Sequence, residues 1–93
     1  MPEIVKTEGV LGGKARLDGR RVSVFQIGEM YTAAGYAPED IADQLGLSLA
    51  DVHCALAYYY NHPDEMEAVR ERGEQLENEL KERSKAPETL TGR

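Results

Sequence analysis

Apolar positions along this chain change period repeatedly, and each change marks an element. In the N-terminal part they alternate: Ala15, Leu17, Val22 and Val24 lie two apart on either side of Asp18-Gly19. Alternation is the period of a half-buried strand, and Asp-Gly between two such runs favours a tight hairpin. A two-residue type I′ turn predicts Ala15, Leu17, Arg20, Val22 and Val24 on one face, with Lys14, Arg16, Arg21 and Ser23 on the other. From Val24 the period lengthens. Val24, Ile27, Tyr31 and Ala34 recur at helical steps, and Gly35 offers a stop, so a core-facing helix is expected here.

The next stretch, PEDIADQLGLSLADVHCALAYYY from Pro38 to Tyr60, restarts the helical period twice. Pro38 suits a first helical turn, where its missing N–H costs nothing. Ile41, Ala42 and Leu45 follow at helical spacing, and Gly46 supplies a left-handed stop. Ser48 with Asp51 three residues on reads as a capping box that opens another helix, whose inward stripe is Val52, Leu56 and Tyr59. Two short helices joined by a three- or four-residue glycine turn form the helix-turn-helix plan. At about 100° per residue, the outward face of the second helix holds Ala50, Asp51, Cys54, Ala57, Tyr58 and Asn61. The small residues Ala50, Cys54 and Ala57 form a lane that suits close approach of another helix, and hence a dimer contact. They equally suit plain exposed helix formers.

Beyond Asn61-His62-Pro63 the material changes. Glu, Arg and Lys dominate, and Met66, Val69, Gly73, Leu76 and Leu80 recur at alternating three- and four-residue steps. That is a heptad-like seam, short for an independent coiled coil, so it needs a surface: its own body, a twin or another protein. After Lys85 the sequence reads as a frayed, disordered tail. The expected organisation is a hairpin plus helix-turn-helix-like body over 1–62, an amphipathic helix over 63–85 and a disordered segment over 86–93. The fold class is mainly α.

Charge redistributes the functional expectations. The formal net charge is -6, yet residues 1–24 carry five basic side chains against three acidic ones. Residues 25–63 carry five acidic and no basic residues, and 64–93 nine acidic against six basic. Base reading needs Arg, Lys, Asn or Gln, and phosphate contacts need cations. The outward face of the second helix offers only Asn61, at its far end. Nucleic-acid contact is therefore expected to begin at Lys14, Arg16, Arg20 and Arg21, acting on phosphates like a wing. Basic residues on an edge strand also serve simply to block edge-to-edge pairing.

Chemistry is sparse. His53, Cys54 and His62 lack the further ligands that would complete a zinc site, and no cofactor or metal is expected. His53 and Cys54 are helix neighbours pointing about 100° apart, a poor nucleophile–base pair. Gly9, Gly12 and Gly13 lack the Lys-Ser/Thr that a phosphate loop needs. An enzyme is not expected. A single cysteine, no basic leader segment and no apolar run of membrane length point to a cytoplasmic protein without a membrane partner.

Gly12-Gly13-Lys14-Ala-Arg-Leu-Asp-Gly19-Arg-Arg21-Val-Ser-Val24, then Gly35, Pro38-Glu39-Asp40-Ile41 and Ala55-Leu56-Ala57-Tyr58-Tyr59, resembles the domain-of-unknown-function 433 family. Members show a GGxPxIxGTRIxV-like segment, a helix ending in Gly, a PEEI-like helix, a turn and an ALAYY-like helix. The likeness covers about residues 9–62. This chain departs at Ala15 and Arg20, where the family usually has Pro and Thr, and at Asp18 and Ser23, where it often has a basic residue and Pro. The resemblance implies a helix-turn-helix-like body with a small hairpin, commonly dimeric. Some members are VapB-type antitoxins paired with a PIN-like ribonuclease toxin. Such antitoxins occupy the toxin with a C-terminal segment, which here would present Met66, Val69, Arg70, Gly73, Leu76 and Leu80. A basic residue among Arg70, Arg72, Lys81 and Arg83 would compete for the toxin's metal-binding carboxylates. Two functional expectations result: a dimeric DNA-binding antitoxin, or an interaction and dimerisation module that keeps the shape without binding DNA. A stand-alone transcription regulator is a third.

Overall fold

The structure, a computed structural model, describes the backbone of residues 3–91 and the side chains of residues 3–83. Two short strands, β1 (Ile4–Val5) and β2 (Arg16–Leu17), precede four helices. These are α1 (Val24–Thr32), α2 (Pro38–Leu45), α3 (Leu49–Asn61) and α4 (Pro63–Thr91). The chain forms two compact units, Met1–Pro63 and Asp64–Arg93. This is the mainly helical architecture with a short N-terminal antiparallel pair that the hydrophobic pattern predicts. No helix among the described residues is long and apolar enough to cross a membrane.

In the first unit α3 is the central element: α1, α2 and both strands pack against it. The core is small and aliphatic, with Val24, Ile27, Ile41, Val52 and Ala55 fully buried and Ala15 and Leu17 nearly so. Ser23 caps α1, its Oγ accepting from the Gln26 amide at 3.0 Å.

The N-terminal pairing differs from the expected hairpin. β2 pairs antiparallel with β1, Ile4 opposite Leu17 and Val5 opposite Arg16. Across Asp18-Gly19 only one bridge forms, Arg16 with Ser23, rather than the run of pairs a tight hairpin would give. The reason lies in the turn. The Arg20 amide donates to the Leu17 carbonyl at 3.0 Å, and Gly19 has φ 79 while Asp18 is not in the left-handed region. One positive φ at the third position is the type II signature; type I′ needs two, and type II splays the strands it joins. The resulting register lies two residues from the expected one, so the pairing keeps its sides. Ala15, Leu17 and Val24 are buried as expected, but Arg20, placed on that face by alternation, is exposed. Ser23, placed with the cations, is buried where it caps α1.

The α1 stripe is also shorter than its periodicity suggests. Val24, Ile27 and Gly28 are buried, whereas Tyr31 is 39% exposed and Ala34 lies beyond the helix end on the surface. In the second unit α4 buries Met66 and Val69 and leaves Leu76 and Leu80 exposed. Its backbone continues to Thr91, past the Lys85 boundary at which the sequence predicts a disordered tail; residues 92–93 lie outside the described residues.

Candidate functional site

The helix–turn–helix corner forms as its residues dictate. Gly46 ends α2 in the left-handed conformation (φ 68), and its amide bonds back to the Ala42 carbonyl. Leu47 turns inward and is buried. Ser48 then opens α3 with a complete capping box: its Oγ accepts from the Asp51 amide at 3.0 Å, and its amide donates to Asp51 Oδ2 at 3.1 Å.

A tighter contact locks α1 to α3. A Cβ built on Gly28 would stand 1.9 Å from Tyr59 Cδ2, so the tyrosine ring occupies the space a side chain would need. The same ring's hydroxyl donates to Glu29 Oε2 at 2.8 Å. The inward stripe of α3 therefore holds Val52, Ala55 and Leu56 buried and Tyr59 half-buried. The spacing of large residues places Val52, Leu56 and Tyr59 there and passes over Ala55. Neither Gly28 nor Glu29 stands out in the sequence. A glycine in mid-helix beside Ile27 is the available signal, because helix interiors disfavour glycine unless close packing requires it.

The outward face of α3 has the composition the sequence indicates. Ala50, Ala57 and Asn61 are exposed and Cys54 is half-buried, so the small-residue lane exists as a surface feature. At its C-terminal end the Tyr58 and His62 rings stack with centroids 3.8 Å apart, and His62 Nδ1 lies 3.0 Å from the Tyr58 carbonyl oxygen. No Lys or Arg lies between Pro38 and Tyr60.

The N-terminal cations separate into two kinds. Lys14, Arg20 and Arg21 are exposed. Arg16 is a brace. Its guanidinium donates to Thr7 Oγ1 at 2.9 Å, to the Arg20 carbonyl at 3.0 Å and to the Leu17 carbonyl at 3.3 Å. Its Nε is buried without a partner. Arg16 ties the segment after β1 to the Asp18-Gly19 turn, a structural duty that competes with the phosphate contact expected of it. The adjoining loop is conformationally demanding: Leu11, Gly12 and Gly13 take φ values of 52, 67 and 80 in succession. Glycine accepts such angles freely, whereas a left-handed leucine costs about 1–2 kcal/mol. Beside this loop a groove of about 560 Å³ is lined by Leu11, Phe25, Met30 and Ala33, with Lys14 and Glu29 at its margin.

In the second unit Gly73, Leu76 and Leu80 are exposed, as are Arg72, Lys81 and Arg83. Arg70 is engaged with Glu67 at 2.6 Å. Among the described residues no group of three or more His, Cys, Asp or Glu is placed to hold a metal ion.

A capped α2–turn–α3 corner on a small aliphatic core, preceded by a short strand pair, defines a helix-turn-helix-shaped α domain. Residues 4–59 match the family model described as a protein of unknown function, DUF433. The chain belongs to that family. No curated protein and no solved structure matches it.

Proposed function

We propose that this chain is an antitoxin-like binding protein whose helix-turn-helix body dimerises and whose α4 engages a PIN-like ribonuclease. The observation that carries this reading is the state of α4. Leu76 is 56% and Leu80 50% exposed on one edge of an otherwise strongly polar helix. Leucines repeating along one stripe of a solvated helix mark a face that another protein covers. The ribonuclease itself is what the family resemblance adds. Among the described residues of α4, Arg72, Lys81 and Arg83 are the exposed cations available to meet its carboxylates, Arg70 being already bonded to Glu67. Any DNA contact falls to Lys14, Arg20 and Arg21, with Asn61 the one base reader α3 offers.

The test is co-expression with the small PIN-like product of a neighbouring gene. The two proteins are expected to co-purify, and the nuclease to be inhibited. Replacing Leu76 and Leu80 together by Asp is expected to weaken inhibition at least tenfold, since each substitution puts a charge into a buried seam. Failure of the full chain to bind or inhibit that protein overturns the reading. A second reading is an interaction module without DNA binding. It is favoured by the cation-free α3, and its signature is the absence of a salt-sensitive mobility shift on upstream DNA.

A further inference from the structure

We propose that the groove between the Leu11–Gly13 loop and α1 binds a small monocarboxylate with an apolar body, such as a medium-chain fatty acid, its head group on Lys14. The proposal rests on α1 and the loop beside it and requires neither a toxin nor DNA. α1 is apolar on two faces. Val24, Ile27 and Gly28 are buried in the core, while Phe25 and Met30 are half-buried on another side and Ala33, at the helix end, is exposed. A surface helix normally turns charged residues outward, yet Glu29 is the one charged residue in the nine of α1. The second apolar face lines a groove of about 560 Å³, a volume within the range of small-molecule sites.

Leu11 lines the same groove from the loop. Among the described residues it is the one non-glycine residue with a positive φ, 52. Glycine would take that conformation without strain, as Gly12 and Gly13 do beside it. A leucine held there presents an apolar side chain to the groove, and strained residues of this kind concentrate where a ligand is clamped. Charge then selects the ligand. Lys14 is exposed at the margin, and Gln26 adds an exposed amide. Glu29 is held from α3, its Oε2 accepting from the Tyr59 hydroxyl at 2.8 Å. One cation favours an anion, and the carboxylate of Glu29 in the same lining repels a second negative charge. A phosphate dianion or a dicarboxylate therefore fits poorly. A peptide would lay backbone N–H and C=O groups on a lining with few polar partners for them, whereas an acyl chain or a small ring brings none. Lys14 is also one of the three exposed N-terminal cations to which any DNA contact falls, so a bound acid competes with phosphate at that position.

The test is isothermal titration of the full chain with sodium octanoate. A saturable site with Kd below about 1 mM is expected, with affinity rising about two- to fourfold per methylene from pentanoate to octanoate. Lys14→Met is expected to weaken octanoate about three- to fivefold, the range of an exposed ion pair, and to leave the neutral 1-octanol unaffected. Ala33→Trp, at an exposed position, should fill the groove and abolish binding of both. Leu11→Gly should weaken octanoate by a similar factor without lowering Tm, because it relieves the left-handed strain. In the unmodified chain, the methyl resonances of Met30 and Ala33 should shift on titration, which places the ligand without relying on any variant. No saturable binding in that range overturns the proposal. So does binding indifferent to Ala33→Trp or Leu11→Gly, or an equal response of octanoate and 1-octanol to Lys14→Met. Because none of these measurements includes DNA or a nuclease, they fail or succeed independently of the proposed function.

Discussion

At the scale of single residues, Gly28 and Tyr59 carry the most consequence per atom. Helix interiors lose about 1 kcal/mol to glycine relative to alanine, so propensity alone would make Gly28→Ala stabilising. Packing reverses the sign. A methyl 1.9 Å from the Tyr59 ring is far inside contact distance, and moving the ring also breaks its 2.8 Å bond to Glu29. Overpacking of about 1–3 kcal/mol together with a lost hydrogen bond of about 1 kcal/mol outweighs the gain. Gly28→Ala is therefore expected to destabilise by roughly 1–3 kcal/mol, lowering Tm by about 5–20 °C in a domain this size. The same substitution made in a Tyr59→Ala background should be neutral or stabilising, and persistence of the full penalty there would remove Tyr59 as its cause. This contact marks the boundary of what the sequence shows. Val24 and Ile27 announce themselves by size and spacing, whereas Gly28 is defined by a ring arriving from a distant helix. No local pattern contains that information.

At the scale of elements, boundaries set by short-range chemistry are legible and pairings set by turn geometry are not. Pro38, Gly46 and the Ser48–Asp51 box sit where they must to start, stop and restart helices, and each acts within about one turn of itself. Asp18-Gly19 also makes a turn, but whether its φ angles follow type I′ or type II is decided by what competes for the strand edge. Here β1, from the very start of the described chain, takes that edge, and Arg16 braces the result. The capping box gives the cleanest test at this level. Ser48→Ala removes the acceptor for the Asp51 amide and is expected to cost about 1 kcal/mol, read from the urea midpoint at unchanged slope. Ser48→Asp, which keeps an acceptor at the same place, should recover most of that loss. If Ser48→Ala leaves the midpoint unmoved, α3 is held by its core stripe alone and the box contributes nothing to the corner.

For the whole molecule, charge layout decides how the fold can be used. The first 24 residues are net basic, the helix-turn-helix segment is wholly acidic in its charged residues, and the net charge is -6. An acidic α3 approaching a phosphate backbone gains no counterion release and meets repulsion, so the helix that reads bases in other proteins of this shape is poorly equipped to do so here. Lys14, Arg20 and Arg21 remain exposed near the type II turn, while Arg16 is held by its own chain. These facts convert into a salt-dependence prediction. Each phosphate neutralised contributes about 0.9 to the slope of log affinity against log salt, so any DNA complex made through this cluster should lose a slope of roughly 3 when all three are replaced by Ala. Asn61→Ala should leave that slope unchanged, because an uncharged side chain releases no counterion. Measured by fluorescence anisotropy across a salt series, a slope insensitive to the triple replacement would move the interface away from the N-terminal cluster. A slope that falls with it, in a protein whose α3 carries no cation, makes the corner a scaffold and the loop beside it the contact.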